Sequence, residues 1–85
     1  MKQDSNGFGN SMNARVIQST EDLGALIKYV RESDKMTQLD LAGLANTGNR
    51  FIVDLEKGKP TIQLGLVLKI IDLMGLEVTI KRKSA

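Results

Sequence analysis

The sequence predicts an all-α domain of four or five short helices, followed by one β-strand whose partner must lie outside the fold. Three observations carry that prediction. Apolar residues recur at helical spacing from Leu23 to Met74. Turn-forming runs divide them: Ser33-Asp34-Lys35, Asn46-Thr47-Gly48 and Gly58-Lys59-Pro60. After Gly75 the period changes to two, with Leu76, Val78 and Ile80 alternating with Glu77, Thr79 and Lys81.

Met1 to Asn13 is polar and small, a composition that buries no core and reads as a mobile arm, with Met12 a second candidate start. We draw the arm over 1–18, the helical domain over 19–75, the strand over 76–81 and a basic tail over 82–85. Ser19 caps the first helix, with Glu21 and Asp22 at its positive end and Asp22 at the capping-box position. Leu23, Leu26, Ile27 and Val30 form one buried face.

Thr37 caps the second helix, with Gln38 and Asp40 in its first turn. Leu41, Leu44 and Ala45 are expected to face inward, and Ala42 and Gly43 to allow close helix approach. Asn46-Thr47-Gly48 is the turn, with Asn and Gly supplying tolerance of left-handed backbone. The third helix runs from Asn49 to Lys57, with Phe51, Ile52 and Leu55 inward. Gly58 suits the position just past its end, and Pro60 stops it. Thr61 to Met74 makes the fourth helix, apolar almost all round, which is more apolar surface than one face of a three-helix domain covers. The simplest partner for the lone strand after it is the same strand of a second copy.

Two short helices joined by a turn of three or four residues form a helix-turn-helix, which places its second helix in the major groove of DNA. Composition narrows the other classes. The net charge of +2 is too small to argue for nucleic acid by itself. The chain has no Cys and no His, which removes zinc fingers, disulfide frameworks and Cys or Ser–His nucleophilic pairs. No cofactor is expected. Three aromatic residues, Phe8, Tyr29 and Phe51, are too few for a base-stacking single-strand binder. No apolar run reaches the roughly 18 residues that span a bilayer, and no signal-peptide core follows Met1, so a cytoplasmic protein with no membrane partner is expected. No nucleophile, base and oxyanion donor come together, which argues against an enzyme.

The DNA-binding candidates are Gln38, Thr47, Gly48, Asn49, Arg50, Val53, Asp54, Lys57 and Lys59. Gln38 lies at a helix N-terminus, which attracts phosphate. Asn49 and Arg50 occupy the first turn of the third helix, and their forked side chains match adenine N6/N7 and guanine O6/N7. Asp54 follows Arg50 by one turn and is read as pairing with it and orienting it. Lys57 and Lys59 flank the following turn, within reach of phosphate. The run Lys81-Arg82-Lys83 reads as a solvated end. Dimer-interface candidates are Leu66, Ile70, Leu73, Leu76, Val78 and Ile80.

The residues Thr37, Gln38, Leu41, Ala42, Ile52, Glu56 and Gly58 follow the pattern of the Xre/Cro-type repressors, whose fold is lambda repressor-like. Within that superfamily, the run from Asn49 to Thr61 and then Gln63-Leu64-Gly65 resembles the HipB-like antitoxins, which end in a short strand. The resemblance implies a homodimer that binds double-stranded operator DNA, represses its own operon and restrains a HipA-like serine/threonine kinase toxin. It also implies a partly buried ion pair between Arg31 and Glu56 that fixes the third helix. One departure stands out: many relatives have Gly-Val-Ser at the turn, whereas Asn46-Thr47-Gly48 supplies no serine hydroxyl there. The alternatives are a solitary or phage-type repressor, or a protein inhibitor of a partner enzyme with DNA binding secondary.

Overall fold

The computed structural model describes residues 14–84, so the expected behaviour of Met1 to Asn13 lies outside the described residues. Among the described residues four helices follow one another: α1 (Thr20–Ser33), α2 (Gln38–Ala45), α3 (Asn49–Lys57) and α4 (Leu64–Leu73). α3 packs against both α1 and α2, and α2 also packs against α4. The core holds Ile27, Leu41, Ala42, Ala45, Ile52, Leu55, Val67, Ile70 and Ile71, with Leu23, Met36, Phe51, Ile62, Met74 and Leu76 packed around it.

Each helix starts on a residue whose side chain or backbone suits a cap. Ser19 Oγ accepts from the Asp22 amide at 3.0 Å, while the Asp22 carboxylate accepts from the Gln18 amide at 2.9 Å, one residue upstream of the usual reciprocal bond. Thr37 and Asp40 form a complete capping box on α2. α4 begins three residues later than Thr61, because Lys59 to Ile62 close a turn and Gln63 Oε1 caps the helix from outside, accepting from the Leu66 amide at 2.7 Å.

All four helices end in the same way. A residue with positive φ follows the last turn: Lys35, Asn46, Gly58 and Gly75. Its amide and the next one return to helix carbonyls, as in Gly58 to Leu55 and Lys59 to Asp54, both at 3.0 Å. This paired closure satisfies carbonyls that a helix C-terminus otherwise leaves open. Three of the four residues are Gly or Asn; Lys35 is the exception.

Three assignments change: one inward residue, one site of close helix approach and one interface residue. Leu44 is 53 % exposed. The buried stripe of α2 runs through Leu41, Ala42 and Ala45, and Leu44 lies about 60° from Leu41 on the side away from Ala42. Gly43 meets open space, whereas Gly24 of α1 makes the close helix approach. Ile70 is 0 % exposed, so it belongs to the core of its own chain and offers no surface to a second copy. Leu64 and Leu68 on one side of α4 and Leu73 on the other are its exposed large apolar residues.

Residues 76–80 form no strand among the described residues. A strand is defined by ladder bonds to a neighbour, and residues 76–81 make none among the described residues. Leu76 packs against the core, while Val78 and Ile80 project into solvent.

Candidate nucleic-acid interface

The site is built on α2, the turn Asn46 to Gly48, and α3. Thr37 Oγ1 accepts from the Asp40 amide and Asp40 Oδ2 accepts from the Thr37 amide, both at 2.9 Å. The Thr37 backbone bond, then its hydroxyl, hold the Asp40 carboxyl below its ordinary range. Asn46 takes the left-handed conformation at φ 58, which reverses the chain after α2. Gly48 precedes α3 in ordinary extended backbone and gives it no side-chain cap. Thr47 is half-buried and its hydroxyl donates to the Gly48 carbonyl at 3.2 Å.

α3 is strongly amphipathic. Ile52 and Leu55 anchor its inner side, with Phe51 half-buried beside them. Asn49, Arg50 and Lys57 are exposed, and Val53 and Asp54 are half-exposed. The outer face therefore presents an amide, a guanidinium, a small apolar surface, a carboxylate and an ammonium.

Behind that face, one buried carboxylate ties three elements together. Arg31 Nε donates to Glu56 Oε2 at 2.6 Å and Nη2 to Oε1 at 3.0 Å. Arg31 Nη1 donates to the Met36 carbonyl at 2.7 Å, which fixes the α1–α2 connection to the same guanidinium. The two side chains are 7 % and 4 % exposed. The Glu56 hydrogen bond raises the Arg31 pKa above its already high ordinary value, against the opposing pull of burial. Gln38 Nε2 adds a third donor to Glu56 Oε1 at 3.1 Å. Such a pair fixes geometry more than it adds net stability, since each charge gives up its hydration. Here it sets the angle of α3 relative to α1 and α2.

Gln38 thus belongs partly to the scaffold: it is half-buried, with its amide directed at Glu56, although it sits at the helix start where phosphate was expected. Arg50 Nε donates to Asp54 Oδ1 at 3.1 Å, and Lys59 Nζ lies 3.6 Å from Asp54 Oδ2. Lys81, Arg82 and Lys83 are exposed on the extended tail.

The structure adds contacts that sequence reasoning missed. Thr20 Oγ1 donates to the Gly58 carbonyl at 2.7 Å, so the start of α1 clasps the end of α3. Gly24 lies over the carbonyls of Leu55 and Glu56. A glycine in mid-helix was the available signal, because it weakens a helix unless close approach requires it. Lys59 closing on Asp54 had no such signal, as it depends on how the chain turns after Gly58.

Among the described residues no helix is long and apolar enough to cross a membrane. Residues 27–80 match the family model described as "Helix-turn-helix". A protein of Sinorhizobium fredii, "Uncharacterized HTH-type transcriptional regulator y4mF", is 46% identical over 67 residues, covering 79% of this chain and 88% of the relative. Among solved structures, "HipB-O4 20mer complex" superposes with a TM-score of 0.75 at 24% identity, covering 84% of this chain and 100% of the other. "Structure of HipA-HipB-O2-O3 complex" gives the same TM-score, identity and coverage. The fold is that of HipB, and the motif, the family match and the relative agree: this chain belongs to the helix-turn-helix family of DNA-binding transcriptional regulators.

Proposed function

We propose that this chain is an autorepressor that binds operator DNA as a homodimer and serves as the antitoxin of a HipA-like kinase. The observation that carries the DNA-binding part is the rigid presentation of α3. Its outer residues Asn49, Arg50 and Val53 face away from the core, while Arg31, Glu56 and Gln38 hold its far side. In this reading α3 enters the major groove, Arg50 and Asn49 meet base edges, and Thr47, Gly48, Lys57 and Lys59 meet the backbone.

Dimerisation is supported by what α4 and the tail leave uncovered. Leu64 and Leu68 are exposed on one side of α4, Leu73 and the half-buried Leu66 lie on the other, and Val78 and Ile80 alternate beyond them. Pairing the 76–81 segments of two copies would satisfy both their backbones and their apolar side chains. It would also present two reading helices to half-sites about 34 Å apart.

The kinase-binding part rests on the HipB-like motif from Asn49 to Gly65 and on the likeness to the HipB fold. With α3 on DNA and α4 on a second copy, the outer face of α1, with Lys28 and Glu32 exposed, remains for such a partner. The relative from Sinorhizobium fredii carries a transcriptional-regulator name, which suits a solitary repressor equally well.

Co-expression with the product of the adjacent gene, followed by gel shift on the chain's own promoter, tests both parts. A retained complex and a shifted promoter support the full reading. A shifted promoter with no complex leaves a plain repressor. A complex without a shift makes it a protein inhibitor.

A further inference from the structure

We infer that Asp54 is a specificity-determining residue, a carboxylate that occupies Arg50 and Lys59 and thereby weakens binding to non-operator DNA. This inference rests on the reading of α3 as the DNA-contacting helix. Its two oxygens are divided between two cations from opposite ends of that helix. Oδ1 accepts from Arg50 in the first turn at 3.1 Å, and Oδ2 lies 3.6 Å from Nζ of Lys59, beyond Gly58. The Asp54 side chain is 20 % exposed and that of Arg50 83 %, so a half-sheltered acid holds a fully presented base.

Helix stabilisation accounts for little of the pair. The more favourable i,i+4 order sets the acid toward the N-terminus and the base toward the C-terminus, in line with the helix dipole. Here the order is reversed, with Arg50 at the positive end of α3 and Asp54 beyond it. The arrangement instead sets the charge that the face shows to a polyanion.

Non-specific binding depends on cations meeting phosphates with release of counterions. While Arg50 and Lys59 are paired with Asp54, they present less net positive charge to phosphate and carry a carboxylate beside it. Operator binding makes the same demand on Lys59 and a smaller one on Arg50. The bond from Arg50 to Asp54 uses Nε, so the two Nη groups at the tip still form the end-on fork that fits guanine O6 and N7. Asp54 therefore opposes phosphate binding more than base reading, and the ratio between operator and bulk DNA rises.

The experiment compares full-length wild type, Asp54→Asn and Asp54→Glu on two labelled duplexes, the chain's own promoter and a scrambled sequence of equal length and composition, across a salt series. Asp54→Asn should bind the scrambled duplex about 3- to 10-fold tighter, with a log–log salt slope steeper by about one to two. Its promoter affinity should change by less than its scrambled-duplex affinity, so the ratio between the two duplexes should fall below that of wild type. Asp54→Glu should retain wild-type discrimination, and adding Lys59→Ala to Asp54→Asn should remove part of the gain. A structural role alone would not steepen the salt slope, and thermal unfolding of each variant verifies the fold. Scrambled-duplex affinity and slope that stay at wild-type values, with the promoter bound normally, overturn the inference. So does a promoter loss confined to one base pair, which would make Asp54 a base reader. Wild type that does not prefer its promoter over the scrambled duplex overturns the operator-binding reading itself, and the inference with it.

Discussion

A β-carbon added to Gly24 of α1 would lie 2.6 Å from the carbonyl oxygen of Glu56 in α3. No real β-carbon approaches backbone oxygen so closely, and a carbonyl within a helix has little room to retreat. Thr20, four residues earlier, bonds the Gly58 carbonyl, so α1 lies along the end of α3 with only hydrogen at the crossing. Gly24→Ala should therefore destabilise the domain by roughly 1–3 kcal/mol, the range for overpacking, although alanine favours a helix by about 1 kcal/mol. Denaturant unfolding tests this, and a midpoint at or above wild type contradicts it.

The buried pair behind α3 makes an asymmetric prediction. Glu56→Leu or Arg31→Met leaves one charge without its partner in a site almost closed to solvent, and each should cost about 3–5 kcal/mol. The double replacement Arg31→Met with Glu56→Leu should cost less than the sum of the two singles, because no lone charge remains. Strict additivity in the unfolding free energies would mean that the two side chains do not depend on each other.

Lys35 closes α1 at φ 62, a conformation that an L-residue with a β-carbon resists. Lys35→Gly should raise stability by about 0.5–1 kcal/mol, less than the full strain because glycine also loosens the unfolded chain. A lower melting temperature would contradict this. The same change at Asn46, already a tolerant residue, should give a smaller gain.

Asp40 supplies a pH test of the capping box. Its folded pKa lies below the ordinary value of 3.8, because Thr37 donates to the carboxylate. The stabilisation is therefore complete above that value and is lost as pH falls through the lower folded pKa. The advantage of wild type over Asp40→Ala should be constant near neutrality and shrink below about pH 4. An advantage that persists unchanged into strong acid would rule out the ionised carboxylate as its source.

Much of this fold was legible because its signals are local. Ser19, Thr37 and Gly58 mark helix ends through chemistry that acts within four residues. Leu23, Leu26, Ile27 and Val30 share a face by spacing alone. Leu44 was misplaced because α2 has eight residues, too few for periodicity to tell its stripe from its flank. The start of α4 was misplaced because Gln63 is an uncommon cap beside the more usual Thr61. Gly24, the bond from Gln38 to Glu56, and the reach of Lys59 to Asp54 depend on how distant segments meet. Ile70 was assigned to an interface from apolarity alone, which does not distinguish a chain's own core from a surface that awaits a partner.

The central claim is that α3 reads operator bases through Arg50, and the most direct measurement is the affinity of Arg50→Ala for the chain's own promoter beside a scrambled duplex. The side chain is exposed and, among the described residues, bonds to Asp54 in its own helix, so its removal should leave thermal stability near wild type. Promoter affinity should fall by about 1–3 kcal/mol, with preference relaxed at one position in each half-site and far less change on the scrambled duplex. Promoter affinity equal to wild type, in a variant that folds normally, would contradict the placement of α3 in the groove.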